Sequence, residues 1–488
     1  MAERLRFDVG FGRPAPRRRF GEGDGEAMRI LLLADFGRRS GALGERSPQR
    51  IDVDDFEQVL RRQAPRLTLP AAAGDDGPTV IEFHELDAFH PDSLYEAVPA
   101  FAPLRAVRAR LLDPATAPAA IAELTGGAAA SVPAPTPTKP SEADFERLLG
   151  QRQGPATTPA TAAVADFIRR VIEPHVVPAA DPRAADLVAA VDAAIGDRMG
   201  RILHDPGFQA LEAAWRAAHW LVTSLETDET LQLYLLDVSK AEIAADIAAA
   251  GDDLEHSALY QLLMRHGPGM PGGAGWSVLA GDYRFGADDV QVLAALGAIG
   301  AQVGGPFLAE ADASILGCRS LVETPDERGW EAGASEHWRA LRKSAAARWL
   351  GLALPRVLLR VPYGRDSDPA ERFRFEEMPS PPQHEAYLWG SPAFACALLL
   401  GQSWADAGAA MTPGDRTELL DLPSHSYGDA GARAVTPPGE VLLSERTADA
   451  ILARGLMPML SFKNRNAVRV ARFQSIADPP TELSGPWA

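Results

Sequence analysis

Cysteine is nearly absent: Cys318 and Cys396 are the only two in 488 residues, 78 positions apart. A disulfide framework and a four-cysteine zinc site are excluded, and a reducing compartment, the cytoplasm, is expected. Positive charge is also short. Against 66 Asp and Glu stand 48 Lys and Arg, of which four are lysine, for a net charge of −18. A surface that must displace counterions from phosphates needs the opposite balance, so no nucleic-acid partner is expected. No run of about 18 uncharged apolar residues occurs, so no membrane insertion is expected. Met1–Gly12 carries Glu3, Arg4, Arg6 and Asp8 where a secretory leader would need an apolar stretch.

The motifs of common chemistries are missing too. None of the four lysines follows a Gly and precedes Ser or Thr, so there is no phosphate loop. Gly267-Pro268-Gly269-Met270-Pro271-Gly272 has the G-x-G-x-x-G spacing, but it follows a helix pattern and precedes a strand pattern. That is the reverse of a dinucleotide turn, so it reads as a surface loop. Ten histidines are scattered without H-E-x-x-H or C-x-x-C. His84 and His90 flank Glu85 and Asp87 in what reads as a solvated turn, and His204 and His219 read as ordinary cap or surface residues. No G-x-S-x-G elbow is present. Cys318 and Cys396 sit among small and apolar residues, as buried and unreactive thiols do. The pairs Asp288-Asp289 and Glu376-Glu377 are adjacent, so they do not flank a substrate and read as solvated faces. No catalytic residue, cofactor site or metal site is expected, and no enzyme.

What is present is an alternation of helical and strand patterns, which favours an α/β (α+β) fold with mixed sheets flanked by helices. Leu5, Phe7, Val9 and Phe11 alternate with polar or small residues, a strand with one apolar face. Met28–Phe36 is an unbroken apolar run, as in a strand buried on both faces. Asp52–Leu60 reads as a helix led by acids, Thr79–Phe83 as a strand, and Asp92–Leu112 as a helix pair broken at Pro99 and Pro103. Further on, Asp186–Leu203, Phe208–Val222 and Ser335–Leu352 carry helical apolar stripes. Leu231–Val238, Trp276–Tyr283, Arg356–Pro362 and Met457–Ser461 are strand candidates. Between the two regions, an Ala/Pro/Thr-rich stretch cannot bury enough surface to offset its ordering entropy. The expected organisation is therefore a domain over 1–115, a flexible linker over 116–163, and a second domain over 164–488. A short amphipathic helix at 141–149 interrupts the linker. Its Phe145, Leu148 and Leu149 share one face, suited to docking on a partner or resting on a domain. Arg339, Arg342 and Lys343 form a basic face on the Ser335–Leu352 helix.

Two sets of segments carry a family likeness. "MRILLLADFGRR" (Met28–Arg39), "LGERSPQRIDVDDFEQVL" (Leu43–Leu60) and Phe83–Leu112 resemble the small sheath subunit of type VI secretion systems, the TssB (VipA) family. "ILHDPGFQALEAAWRAAHWLV" (Ile202–Val222), "WSVLAGDYRFG" (Trp276–Gly286), Pro306–Gly317, Trp338–Gly364, Phe375–Glu377, "YLWGSPAFA" (Tyr387–Ala395) and "LPSHSY" (Leu422–Tyr427) resemble, in order, the large subunit, the TssC (VipB) family. The likeness implies a contractile-sheath protomer: a structural part that polymerises with other protomers around an inner tube of Hcp rings, on a baseplate, and contracts to propel the tube. It implies recycling by the AAA+ ATPase ClpV, with Ser141–Leu149 as the docking helix. It also implies strand exchange between protomers, for which Arg4–Phe11 suits a donated arm, the other reading being a strand paired within its own domain; Arg339, Arg342 and Lys343 are either a solvated helix face or a contact with another sheath layer or the tube. Two departures stand out. Small and large subunits are usually separate chains, and the large subunit usually continues beyond the point matching Ala488. The second departure favours an alternative, a sheath-like accessory or capping component that does not polymerise.

Overall fold

The computed structural model describes residues 11, 19–20, 27–38, 41–70, 77–125, 182–269, 273–331, 335–428 and 433–487. Its strands are β1 (Met28–Ala34), β2 (Gln49–Ile51), β3 (Arg66–Leu69), β4 (Thr79–Glu82), β5 (Leu231–Asp237), β6 (Val278–Phe285), β7 (Phe307–Ala311) and β8 (Leu350–Leu354). They continue with β9 (Val357–Leu358), β10 (Trp389–Gly390), β11 (Glu418–Leu419), β12 (His425–Tyr427), β13 (Ala434–Thr436), β14 (Met457–Ser461) and β15 (Val468–Val470). The fold class is α/β, as expected.

The chain forms two compact units. One comprises Met1–Ala97, Met199–Ala370 and Glu376–Ala488; the other comprises Val98–Arg198 and Glu371–Phe375. The larger unit is built on a nine-stranded sheet in the order β11-β15-β14-β8-β7-β6-β1-β5-β2. From β14 to β5 the strands run parallel, while β2, β15 and β11 add antiparallel pairs at the two ends. All seven residues of β1 are buried. Without alternation, such a strand is stable only with both faces covered. Leu31 and Leu33 join a core with Leu279, Phe285, Leu293 and Leu296, under the helices Lys240–Ala250, Ala258–Arg265 and Val290–Val303. Ile30 faces the other way, towards helix Pro392–Ala407, where a Cβ on Gly401 would lie 3.3 Å from Ile30 Cδ1. β1 is thus a central strand whose two neighbours, β5 and β6, come from beyond residue 230.

The smaller unit packs helices Ala102–Leu112 and Ala117–Leu124 with Ala184, Leu187, Val188 and Val191 around Leu111 and Ile121. Arg108 Nε meets Asp192 Oδ1 at 2.6 Å beside this small core. The stretch read as linker therefore begins with a packed helix. Its described part ends at residue 125, so the island Ser141–Leu149 lies outside the described residues.

Several element bounds differ from the sequence reading. The helix expected over Ser335–Leu352 ends at Arg342, a 3-10 turn follows at Ala346–Trp349, and Leu350–Leu354 is strand β8, buried throughout. A short apolar run continues a helical stripe by coincidence, and periodicity cannot separate the two. The strand expected over Arg356–Pro362 shrinks to β9. Asp52–Asp55 precede the helix Phe56–Gln63 as a turn, in which Asp52 Oδ1 accepts the N–H groups of Asp54 at 3.0 Å and Asp55 at 2.9 Å.

Candidate functional site

Strand order reverses at β1: β5 lies on one side of it, and β6 to β8 lie on the other. In open α/β sheets such a reversal opens a ligand crevice at the carboxyl ends of the strands. Here described residues tie the loops at these ends to one another. Asp237 accepts the N–H of Phe36 at 2.8 Å and of Arg38 at 3.2 Å, which ties the turn after β1 to β5. Arg46 donates to the Asp237 carbonyl at 2.6 Å and pairs with Glu242, whose carboxylate also closes a capping box on Ser239. The Tyr283 hydroxyl donates to the Val238 carbonyl at 2.5 Å. Gly37 has φ +84°, and a Cβ there would lie 2.9 Å from Leu211 Cδ1. The polar groups at this switch point hold loops in place.

A second polar region is a cleft of about 180 Å³ at the carboxyl ends of β6, β7 and β8. Arg284 meets Glu310 at 2.5 Å and Arg356 meets Glu440 at 2.6 Å. Burial alone pushes the Glu440 carboxyl up, but His384 at 3.0 Å and Arg356 outweigh it and hold the group at about 2. Asp282 has no ion-pair partner among the described residues: burial, with the Glu310 carboxylate adding, pushes it to about 7 despite Arg284. Neither cysteine is activated, since burial raises the Cys318 thiol and pushes Cys396 to about 12. Among the described residues, no group of three or more His, Cys, Asp or Glu could hold a metal ion.

The most deeply buried charges lie elsewhere. Arg360 is clasped by two carboxylates: Nε is 2.8 Å from Glu212 Oε1, and Nη1 is 2.7 Å from Glu377 Oε2. Glu212 and Glu377 also accept from Arg360 Nη2 at 3.3 and 3.0 Å. Arg216 joins Glu212 at 2.6 Å and donates to the Tyr363 hydroxyl at 2.9 Å, while the Tyr363 N–H donates to Glu377 at 2.7 Å. Burial pushes the Glu377 carboxyl up, but the Arg360 charge, a His204 contact and these donors bring it down to about 2. Glu377 was expected on a solvated face and is instead buried, because its partner lies on another segment. Glu212 was hidden inside an apolar stripe; its spacing of four from Arg216 was the available signal. The cluster fastens helix Pro206–Ser224 to the segments around Arg360 and Glu377.

Of the residues named from sequence, Leu5, Phe7 and Val9 lie outside the described residues, as do Phe145, Leu148 and Leu149. Phe11 is half-buried, its ring 4.4 Å from that of Tyr260. The basic face divides. Arg339 and Lys343 are exposed, whereas Arg342 turns inward and donates to the carbonyls of Ile476 at 2.7 Å and Ala477 at 3.3 Å. The G-x-G-x-x-G string follows helix Ala258–Arg265 and precedes β6, so its described glycines sit at the amino end of the strands.

Comparison with known proteins adds a consistent picture. Residues 27–124 match the VipA family of type VI secretion systems. Residues 185–477 match the VipB (EvpB) tail sheath N-terminal domain family. The type VI secretion system sheath protein TssC1 of Pseudomonas aeruginosa is 31% identical over 362 residues, covering 70% of this chain and 72% of the relative.

Proposed function

The chain belongs to the tail-sheath family of type VI secretion systems, and from that premise we propose that it is a structural protomer of the contractile sheath. In this reading protomers polymerise around an inner tube on a baseplate, in the cytoplasm, and contract to drive the tube outward. Work would come from two alternative packings of the same protomers. No bond chemistry is required of the chain, and it would not be an enzyme. Recycling by an AAA+ ATPase would follow contraction.

The observation that carries this reading is the position of β1. It comes from the segment matching VipA, and it pairs on both sides with strands of the segment matching VipB. The two parts share one sheet, so small- and large-subunit functions would reside in one covalent protomer. Fusion fixes their stoichiometry and raises their effective concentration. The stretch around 116–163 would then act as the covalent link between two family-sized parts.

Ultracentrifugal pelleting of the purified full chain, with and without an inner-tube protein, tests this. Sedimentable polymer is expected, and its formation should be lost when Met1–Gly12 is deleted while the protein stays soluble. Polymer that survives the deletion contradicts a donated N-terminal arm. A chain that stays small under every condition contradicts the protomer reading and favours a capping component.

A further inference from the structure

Two patches of opposite charge lie at diagonal corners of the larger unit's sheet. One corner lies beside edge strand β2, at the amino end of β5. There the turn Asp52–Asp55 meets the turn Glu226–Glu229, linked by Arg50, which donates to the Asp228 carbonyl at 2.7 Å. Asp52, Asp54, Asp55, Glu226, Asp228 and Glu229 lie on these two turns, with Arg50 between them and Arg29 and Arg265 across a hollow from Glu229. Val53 stands among them, 57% exposed.

The opposite corner lies at the carboxyl end of β14, towards edge strand β11. Here a cleft of about 220 Å³ is lined by Arg433, Lys463, Arg465, Val435 and Leu442. Val435 and Leu442 are 45% and 39% exposed. Arg465 pairs with Glu418 at 2.9 Å and, with Arg469, covers the Phe462 ring. Lys463 is exposed and has no ion-pair partner among the described residues. A basic cleft is notable in a chain of charge −18.

We propose that the basic cleft of one copy receives the acidic corner of another copy, with Val53 seated between Val435 and Leu442. Each patch has an apolar centre and a charged rim, the anatomy of a specific interface. The rims are of opposite sign, which steers association and fixes register. Because the two patches differ and lie on opposite corners, the contact is head-to-tail, the kind that generates rings or open helical filaments. This rests on the sheath-protomer reading and names a contact within it.

The test uses full-length chain and follows assembly by light scattering and negative-stain microscopy, across salt concentrations. Lys463→Glu with Arg433→Glu should slow assembly at least about tenfold, as should Asp54→Lys with Glu229→Lys, because like charges then face each other. Carrying all four changes in one chain restores complementarity and should recover most of the rate. The milder pair Lys463→Gln and Asp54→Asn provides a second series, with folding of every variant checked by circular dichroism. Reversals that assemble at the wild-type rate, or a fourfold variant no faster than either double, overturn the contact alone. A wild-type chain that never assembles overturns the sheath reading and the contact with it.

Discussion

Arg360 shows what a single buried charge does in this molecule. Its guanidinium satisfies Glu212 and Glu377 together, and each carboxylate is removed from water. Removing one partner of such a group leaves an uncompensated charge, which costs about 3–5 kcal/mol. Arg360→Met should therefore lower stability by about that amount in urea denaturation, and Glu212→Gln with Glu377→Gln in the same chain should recover part of it. The cluster also sets a pH dependence. Glu377 is held at about 2, below its unfolded value near 4.3, so it stabilises the folded state above pH ~4.3. That contribution, on the order of 3 kcal/mol, is lost as pH falls towards 2. Asp282 has the opposite sign. At about 7 it holds a proton that the unfolded chain has lost, so its contribution falls as pH rises from about 4 to 7. Asp282→Asn should raise the denaturation midpoint at pH 8 and leave it unchanged near pH 4. The burial of Cys396 was legible from its apolar neighbours, whereas Cys318, expected buried as well, is half-exposed at the edge of the core. The charge cluster was not legible, because Glu212 and Arg360 are 148 positions apart and their pairing exists only in the folded chain.

Among elements, β1 is the one on which most depends. Its run of apolar residues was readable because seven positions without alternation admit only a doubly covered strand. What could not be read was which strands would cover it, since β5 and β6 lie some 200 and 250 positions onward. Strand β8 was misread for a related reason: Leu350–Leu354 continues the spacing of the helix before it, and only the sheet decides between the two. The apolar stripes of the helices over Asp186–Leu203 and Phe208–Val222 were the most legible features, while their caps were not read. Asp205, which accepts from Gly207 and Phe208 at the start of Pro206–Ser224, is one such cap. A consequence of the shared sheet is that residues 185–488 expressed without 1–124 should be insoluble or unfolded, since β5 and β6 would lose their common neighbour. Circular dichroism and limited proteolysis check this, with co-expression of 1–124 expected to restore the fold. At finer grain, Leu31→Ala in β1 should cost about 2–5 kcal/mol, the range for a leucine removed from a closed core.

At the scale of the whole chain, the shortage of reactive groups and the acidic balance fit one account. At the strand ends where an α/β sheet would bind a ligand, Arg46 and Asp237 hold loops together. The deep charges of Arg360, Glu212 and Glu377 fasten segments together. A chain of charge −18 resists indiscriminate association, so the proposed polymer would need specific contacts. The family likeness was legible in long collinear segments. The sharing of one sheet between the two parts was not, because strand neighbours far apart in sequence leave no local trace. The most direct test of the sheath account is negative-stain electron microscopy of the purified full-length chain under assembly conditions. Hollow helical tubules are the expected result, and a field of discrete particles that never elongate contradicts it.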